Sequence, residues 1–274
     1  MSINLNTAQS LYLDLLKRSL TNWIHGHEEF VLVEPGRLAK LFGTPALPYG
    51  SMIVKAQRFD EQKRSVGQDW PVPLLAHTMV GLKRLNNLQM CIERVIADQV
   101  PGDLIETGVW KGGSTIFMRG VLKAYGDTNR CVWVADSFQG LPPPNTKKYP
   151  DDAGDVHYTY DSLRVTEARV RENFAAYDLL DDRVKFLKGW FSDTLPSAPI
   201  EKLAVLRLDG DMYESTMDAL ESLYDKLSVG GYIIVDDYCI GSCRKAVTDF
   251  RNARSINEKI IEIDGTGVYW RRSN

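Results

Sequence analysis

The chain has 274 residues, of which 44% are hydrophobic and 25% charged, and this is the composition of a globular protein with one sizeable core. Its formal net charge of −3 at pH 7 excludes a global positive field that would hold a nucleic-acid backbone or an acidic membrane. No run of about 18 apolar residues and no CxxC pair occurs, so the sequence predicts neither a membrane span nor a cysteine zinc site. We expect a cytoplasmic enzyme with a small-molecule partner.

Residues 1–100 are predicted to form an N-terminal helical and flap extension. In residues 7–23, leucines at helical spacing predict an amphipathic helix with Lys17 and Arg18 on its solvent side. The leucines are Leu11, Leu15, Leu16 and Leu20. Residues 43–73 are rich in Gly and Pro and predict an arm or flap, and residues 78–97 return to a helical pattern.

After Pro101 the pattern changes to β/α alternation. Five short apolar runs predict the buried strands of a parallel sheet: DLIET, CVWVAD, VKFLKG, LAVLRLD and YIIVDD. Helices are predicted over residues 114–125, 166–178 and 215–227, the last with a capping signature at Ser215 and Asp218. The runs KIIEID and TGVYWRR, separated by an Asp-Gly turn, predict an antiparallel hairpin. Such a hairpin is typical of methyltransferase sheets, whereas dehydrogenase sheets are usually parallel throughout.

A glycine-rich turn follows the first of these strands. It begins at Glu106 and continues through Gly108 to Ser114, and its glycines allow a ligand to approach the backbone closely. Glu106 suits a ligand ammonium such as that of a methionyl group. Asp136 ends the second strand, where a carboxylate commonly binds ribose hydroxyls, although it could instead cap a turn. Trp190 follows the third strand and offers an aromatic wall for an adenine or simple core packing.

Four aspartates follow the fourth and fifth strands: Asp209, Asp211, Asp236 and Asp237. Because ligands bind outside the carboxyl ends of parallel strands, three or four of these carboxylates are expected to converge on one crevice. A carboxylate set without nearby His or Cys favours Mg²⁺ or Mn²⁺ over zinc, and Asp211 is our candidate general base for an acceptor hydroxyl. The alternative is that these aspartates serve only as turn and helix-start residues.

Residues 137–162 form a long segment of turn chemistry between two predicted elements. Connections of this length inside a compact domain are often lids, so we expect it to cover a ligand. His157 lies in this segment and could contact a substrate, although for an isolated histidine a structural or solvated role is the first expectation.

Taken together, these motifs resemble the macrocin-type O-methyltransferases, which act on sugar hydroxyls of macrolides, aminocoumarins and related natural products. The resemblance rests on DWP at 69–71, HTM at 77–79, IETGVWKGGS at 105–114, VADSFQGLP at 134–142, GWFSDTLP at 189–196, LRLDGDMYEST at 206–216 and GGYIIVDDY at 230–238. It implies an α/β, Rossmann-like class I methyltransferase fold with a mainly parallel seven-stranded sheet, in which residues 101–274 form the methyltransferase domain and one structural unit with the extension.

The resemblance also implies site roles. Asp209, Asp236 and Asp237 would bind Mg²⁺, and Asp211 would deprotonate the acceptor. The residues expected around S-adenosylmethionine are Thr78, Met79, Glu106, Thr107, Gly108, Ser114, Asp136, Ser137 and Trp190. A homo-oligomer and a small-molecule glycoside acceptor are implied as well.

The same motifs bear on three other functions. Metal-dependent methylation of a catechol-like phenol would use the same aspartates, but the N-terminal motifs argue against it. An NAD(P)-dependent oxidoreductase predicts a dinucleotide glycine fingerprint that this chain lacks. A non-catalytic cofactor-binding protein would have lost the aspartates, and all four are present.

Overall fold

The computed structural model describes residues 7–26, 29–32, 54–67 and 72–273. Its helices are α1 Thr7–Leu20, α2 Glu61–Val66, α3 Leu82–Ala97, α4 Gly113–Ala124, α5 Glu167–Ala176, α6 Phe191–Thr194, α7 Tyr213–Leu223 and α8 Gly241–Ala253. Its strands are β1 Glu29–Leu32, β2 Val54–Gln57, β3 Asp103–Thr107, β4 Val132–Asp136, β5 Val184–Lys188, β6 Leu203–Leu208, β7 Leu227–Val235, β8 Ile261–Glu262 and β9 Val268–Arg271.

The main sheet has seven strands in the order β5-β4-β3-β6-β7-β9-β8. The first five run parallel, while β9 pairs antiparallel with both β7 and β8. The predicted α/β class I methyltransferase fold with its closing hairpin is therefore confirmed. Because the strand order reverses beside β3, a crevice opens between the carboxyl ends of β3 and β6, where open α/β sheets bind ligands.

The extension shares its core with the sheet. Leu13 and Leu20 of α1 and Leu85 of α3 belong to the same buried cluster as Leu104 of β3, and burial of these side chains ties the extension to the sheet by the hydrophobic effect. The division at residue 100 stays a prediction. No helix among the described residues is long and apolar enough to cross a membrane.

The predicted faces of α1 were partly wrong. Leu16 and Leu20 are buried as expected, but Leu11 and Leu15 are 65% and 59% exposed. Lys17, predicted to face solvent, is buried and donates a hydrogen bond to Asn86 Oδ1 of α3 at 2.7 Å. The buried face of α1 therefore differs from the predicted one, because α1 packs against α3 and α4.

Two helix starts were also predicted wrongly. Helix α3 begins at Leu82, after Gly81, because residues 78–81 adopt an irregular path. Helix α7 begins at Tyr213, so Ser215 and Asp218 lie inside the helix and form no capping box. In the predicted flap, residues 54–67 form β2 and α2, and β2 pairs with β1. Residues 43–53 and the DWP motif at 69–71 lie outside the described part of the chain.

Candidate active site

A cavity of about 760 Å³ lies at the carboxyl ends of β3, β4, β6 and β7. The strand ends form one wall, and the lid segment, residues 137–162, forms another. The predicted site residues that line the cavity are Thr78, Met79, Glu106, Gly108, Ser114, Asp136, Ser137, Trp190, Asp209, Asp211, Asp236 and Asp237. The residues predicted to surround S-adenosylmethionine and the four aspartates thus line the same cavity.

Thr107 is the exception among the predicted contacts. Its side chain is 1% exposed, and it is absent from the residues that line the cavity. Successive residues of a strand point to opposite faces of the sheet, so Thr107 points away from the side that Glu106 shares with the cavity. Its carbonyl oxygen instead accepts a hydrogen bond from Asp209 N at 2.9 Å.

Two glycines allow the cavity wall to close. Gly108 has φ +88°, and a Cβ there would lie 1.7 Å from the carbonyl oxygen of Asp209. A Cβ on Gly113 would lie 2.4 Å from the carbonyl oxygen of His77. The turn after β3 therefore contacts both Asp209 and the segment that carries Thr78, which only glycine permits at such separations.

The strand register places one arginine and three carboxylates on the same face of the sheet. Glu106 of β3 is the Cα partner of Arg207 in β6, and Arg207 is the partner of Ile234 in β7. Since side chains of one face recur every second residue, Asp209 and Asp236 project on the same side as Arg207. Arg207 is 2% exposed and donates to Glu106 Oε1 at 2.5 Å, to Asp209 Oδ2 at 2.7 Å and to Asp236 Oδ1.

The two carboxylate oxygens of Glu106 differ in their surroundings. Its Oε1 is bound by Arg207, whereas Oε2 is buried and forms no hydrogen bond with the described residues. Burial raises the pKa of Glu106 to about 8, with Asp209 and Asp236 adding to the rise and Arg207 and the nearby Ser114 hydroxyl opposing it. A buried acceptor without a donor is costly, so this oxygen is suited to a cationic group that enters the cavity.

Asp136 lines the cavity and also accepts hydrogen bonds from two backbone turns. Its Oδ2 accepts from Val109 N at 2.8 Å and its Oδ1 accepts from Phe138 N at 2.7 Å. It therefore ties the turn after β3 to the turn after β4, as the turn-capping alternative predicted. Each carboxylate oxygen can accept a second hydrogen bond, so Asp136 could hold these turns and bind a ligand hydroxyl at the same time.

Three aspartates form a compact carboxylate cluster. Asp209, Asp236 and Asp237 each offer one oxygen within 4.8 Å of the other two. Arg84 of α3 binds the second oxygen of Asp236, and it also donates to Asp264 Oδ2 at 2.7 Å and to Thr266 Oγ1. The two arginines fix the orientation of Asp236 from opposite sides.

The negative charge of this region exceeds its positive charge. Among the described residues, five carboxylates line this part of the cavity, those of Glu106, Asp211 and the three-aspartate cluster, whereas two guanidinium groups lie beside them, those of Arg84 and Arg207. Burial, followed by the neighbouring carboxylates, raises the pKa of Asp209 to about 6 and that of Asp211 to about 7, and raises the pKa of Asp237 as well. An all-oxygen set with excess negative charge fits a hard divalent cation.

Asp211 lies in the turn between β6 and α7 with φ +59°. This left-handed conformation is unfavourable for a residue with a Cβ, and its N–H is held by Asp237 Oδ2 at 3.1 Å. Backbone strain of this kind often accompanies functional sites. Here it brings the Asp211 side chain to the cavity beside the carboxylate cluster.

Sequence reasoning missed the polar residues that support the site. Arg207 lies within a quoted motif, but a buried arginine in a strand is interpretable only when its partners are known. Arg84 comes from the extension, and Asp152 of the lid accepts from the N–H groups of Tyr213 and Glu214 at 2.6 and 3.1 Å. His157, for which a substrate contact was the second expectation, lines the cavity.

Comparison with known proteins agrees with this geometry. Residues 9–272 match the macrocin-O-methyltransferase (TylF) family. The chain is 52% identical over 97% of its length to the 8-demethyl-8-(2,3-dimethoxy-alpha-L-rhamnosyl)-tetracenomycin-C 4'-O-methyltransferase of Streptomyces olivaceus, 94% of which is covered. It is 49% identical to the mycinamicin III 3''-O-methyltransferase of Micromonospora griseorubida, over 98% of both chains.

A solved structure extends the likeness to three dimensions. The O-methyltransferase NovP superposes with a TM-score of 0.84 at 46% identity, over 97% of this chain and 100% of that one. The fold and the family match together define an O-methyltransferase. More particularly, the chain belongs to the macrocin-O-methyltransferase family, which confirms the resemblance and the enzyme class inferred from the sequence.

Proposed function

We propose that this enzyme transfers the methyl group of S-adenosylmethionine to a sugar hydroxyl of a glycosylated natural product, with Mg²⁺ or Mn²⁺ bound at Asp209, Asp236 and Asp237. The observation that carries the proposal is the convergence of the carboxylate cluster, Asp211 and the free oxygen of Glu106 on one cavity. We expect a small-molecule acceptor rather than a nucleic acid, and a homo-oligomer, as in the sequence prediction.

The donor is assigned to the β3–β4 side of the cavity. S-adenosylmethionine supplies an electrophilic methyl group on a sulfonium. Glu106 Oε2 accepts from its ammonium group, and Asp136 accepts from its ribose hydroxyls. The neighbouring residues that complete this side are Thr78, Met79, Gly108, Ser114, Ser137 and Trp190, while Thr107 contributes only through its backbone.

The acceptor is activated at the β6–β7 side. A divalent cation held by Asp209, Asp236 and Asp237 would supply Lewis-acid chemistry that makes a hydroxyl more acidic, as such ions do for water, whose pKa falls from ~16 towards neutrality. Asp211 takes the proton from the hydroxyl, for which a carboxylate with a raised pKa is well suited. The lid and the strand ends exclude bulk water and hold the acceptor near the methyl group, because methyl transfer requires the reacting atoms to be aligned.

The substrate class is supported by the relatives. Their names specify methylation of a rhamnosyl tetracenomycin, of mycinamicin III and of demethyldecarbamoylnovobiocin. In this chain the lid offers Leu141, Pro142 and Pro143 to the cavity, and such rigid apolar groups suit a large aglycone attached to the sugar.

The test is a methylation assay by mass spectrometry with these three demethylated acceptors, with Mg²⁺ and after chelation. We expect S-adenosylmethionine-dependent turnover of at least one acceptor and its loss on chelation. The variant Asp211→Asn should lower kcat by about 10²- to 10⁴-fold, the usual contribution of a general base, while the affinity for S-adenosylmethionine, measured by calorimetry, is retained.

The matched control is Asp225→Asn, which removes an exposed carboxylate paired with Arg254 and should leave kcat unchanged. Unchanged turnover of Asp211→Asn would remove Asp211 as the base. Turnover that survives chelation would remove the cation from the proposal.

A further inference from the structure

The lid carries a histidine that is held in a defined orientation. His157 Nδ1 lies 2.7 Å from Asp155 Oδ2, and His157 N donates to Asp155 Oδ1 at 2.9 Å. The side chain of Asp155 is 10% exposed, whereas that of His157 is 38% exposed and lines the cavity. The carboxylate is thus largely covered, and the imidazole faces the space where a ligand would lie.

The carboxylate also fixes the tautomer of the imidazole. An ionised carboxylate only accepts hydrogen bonds, so Nδ1 must carry the proton in the 2.7 Å contact. In the neutral ring Nε2 is then an acceptor. A histidine held in this way presents its Nε2 acceptor in a fixed direction. A histidine without such a contact does not.

The position of this pair is fixed by the docking of the lid. Asp152 is 2% exposed and caps α7 through the N–H groups of Tyr213 and Glu214. Asp155 N in turn donates to the carbonyl oxygen of Asp152 at 3.2 Å. Helix α7 begins two residues after Asp211, so the same contact that docks the lid sets His157 relative to the candidate base.

His157 and Asp211 line the same cavity. The remaining lid residue of this turn, Tyr160, lines the cavity as well. The lid therefore adds a polar acceptor next to the place where the acceptor hydroxyl would be deprotonated.

From this geometry we propose that the Asp155–His157 pair binds the acceptor sugar, with His157 Nε2 accepting a hydrogen bond from a hydroxyl next to the one that is methylated. His157 is then a determinant of acceptor recognition rather than the base. The inference rests on the proposed function, because it requires a glycoside acceptor in this cavity.

The experiment measures kcat and KM for the acceptor, and separately the binding of the same acceptor by calorimetry in the presence of S-adenosylhomocysteine. The acceptors are mycinamicin III, demethyldecarbamoylnovobiocin and the rhamnosyl tetracenomycin. His157→Ala should raise the acceptor KM and the acceptor Kd by about tenfold, the loss of one well-placed hydrogen bond. The affinity for S-adenosylmethionine should not change.

Two further variants separate recognition from structure. His157→Gln keeps a side-chain acceptor and should recover part of the acceptor affinity, whereas Asp155→Asn should weaken it because the imidazole loses its fixed tautomer. His25→Ala replaces an exposed histidine that does not line the cavity and should behave as the wild type. Circular dichroism establishes that each variant is folded.

An unchanged acceptor KM and Kd in folded His157→Ala would overturn the inference while methylation by the wild type upheld the proposed function. A loss confined to kcat would also overturn it, because His157 would then act in the chemical step. If none of the three glycosides bound to the wild type, the substrate class and this inference would fail together.

Discussion

The strand-end wall and the lid wall of the cavity are held by different forces. At the strand ends, Glu106, Asp209 and Asp236 are fixed by buried arginines and by strand register. In the lid, position depends on a few hydrogen bonds, chiefly those of Asp152 and the bond from Trp110 Nε1 to Ser162 O at 2.9 Å. The strand-end wall is thus held by more buried charged contacts, whereas the lid is the wall that sequence changes can reshape more easily.

The largest effect is expected from Arg207→Met, which leaves Glu106, Asp209 and Asp236 buried without their shared cation. Removing one side of a buried ion pair costs about 3–5 kcal/mol. Because Arg207 serves three carboxylates, the free energy of unfolding in urea should fall by about 5 kcal/mol in the absence of Mg²⁺. Mg²⁺ should restore part of it.

The control is Arg254→Met, whose pair with Asp225 is exposed and should contribute at most about 1 kcal/mol. Equal losses of unfolding free energy in the two variants would show that the ion pairs of Arg207 do not stabilise the strand-end wall.

A smaller effect is expected from Gly108→Ala, which compares the two walls directly. At Gly108 the added Cβ meets the carbonyl oxygen of Asp209 at 1.7 Å and φ is +88°, so the variant should lose about 3 kcal/mol through overlap and backbone strain together.

Gly154 in the lid has φ +90°, but nothing lies within 4 Å of its Cβ position. Gly154→Ala should therefore lose only about 1 kcal/mol, the cost of the left-handed backbone. Thermal unfolding measures both, and a similar shift in Tm would mean that the close approach of the two strand ends is not required.

The smallest effect is expected from Asp152→Ala. The variant removes the side chain that caps α7 and should lower the free energy of unfolding by about 1 kcal/mol, as for other helix caps. Its clearer sign should be faster proteolytic cleavage within residues 137–162, because the lid loses its docking contact. The exposed neighbour gives the control, Asp151→Ala, and identical cleavage rates in the two variants would contradict this role of Asp152.

The sheet could be predicted from sequence because each of its central strands is an apolar run buried on both faces. The three-aspartate cluster could be predicted because strand ends and ligand crevices coincide in such sheets. Alternation along β3 places the Thr107 side chain on the face opposite to Glu106, so a contact of Thr107 with the methyl donor would have to be made by its backbone.

Other features depend on contacts between distant parts of the chain. The start of α7 is set by Asp152, which lies 61 residues before Tyr213, so the local signature at Ser215 was misleading. The orientation of His157 depends on the docked lid, and the burial of Lys17 depends on Asn86 of another helix. Local sequence patterns do not predict such contacts, because helix propensity describes one segment and not the distant segments that pack against it.

The position of Arg84 has a consequence for engineering. This arginine belongs to the extension, yet it joins Asp236 of the strand-end wall to Asp264 and Thr266 in the turn of the closing hairpin. A chimaera that fused residues 1–100 of one family member to the sheet of another would take the guanidinium and its acceptors from different proteins. Recombination aimed at a new acceptor should instead exchange the segment 137–162 as a cassette, preserving Asp152 at its junction with α7.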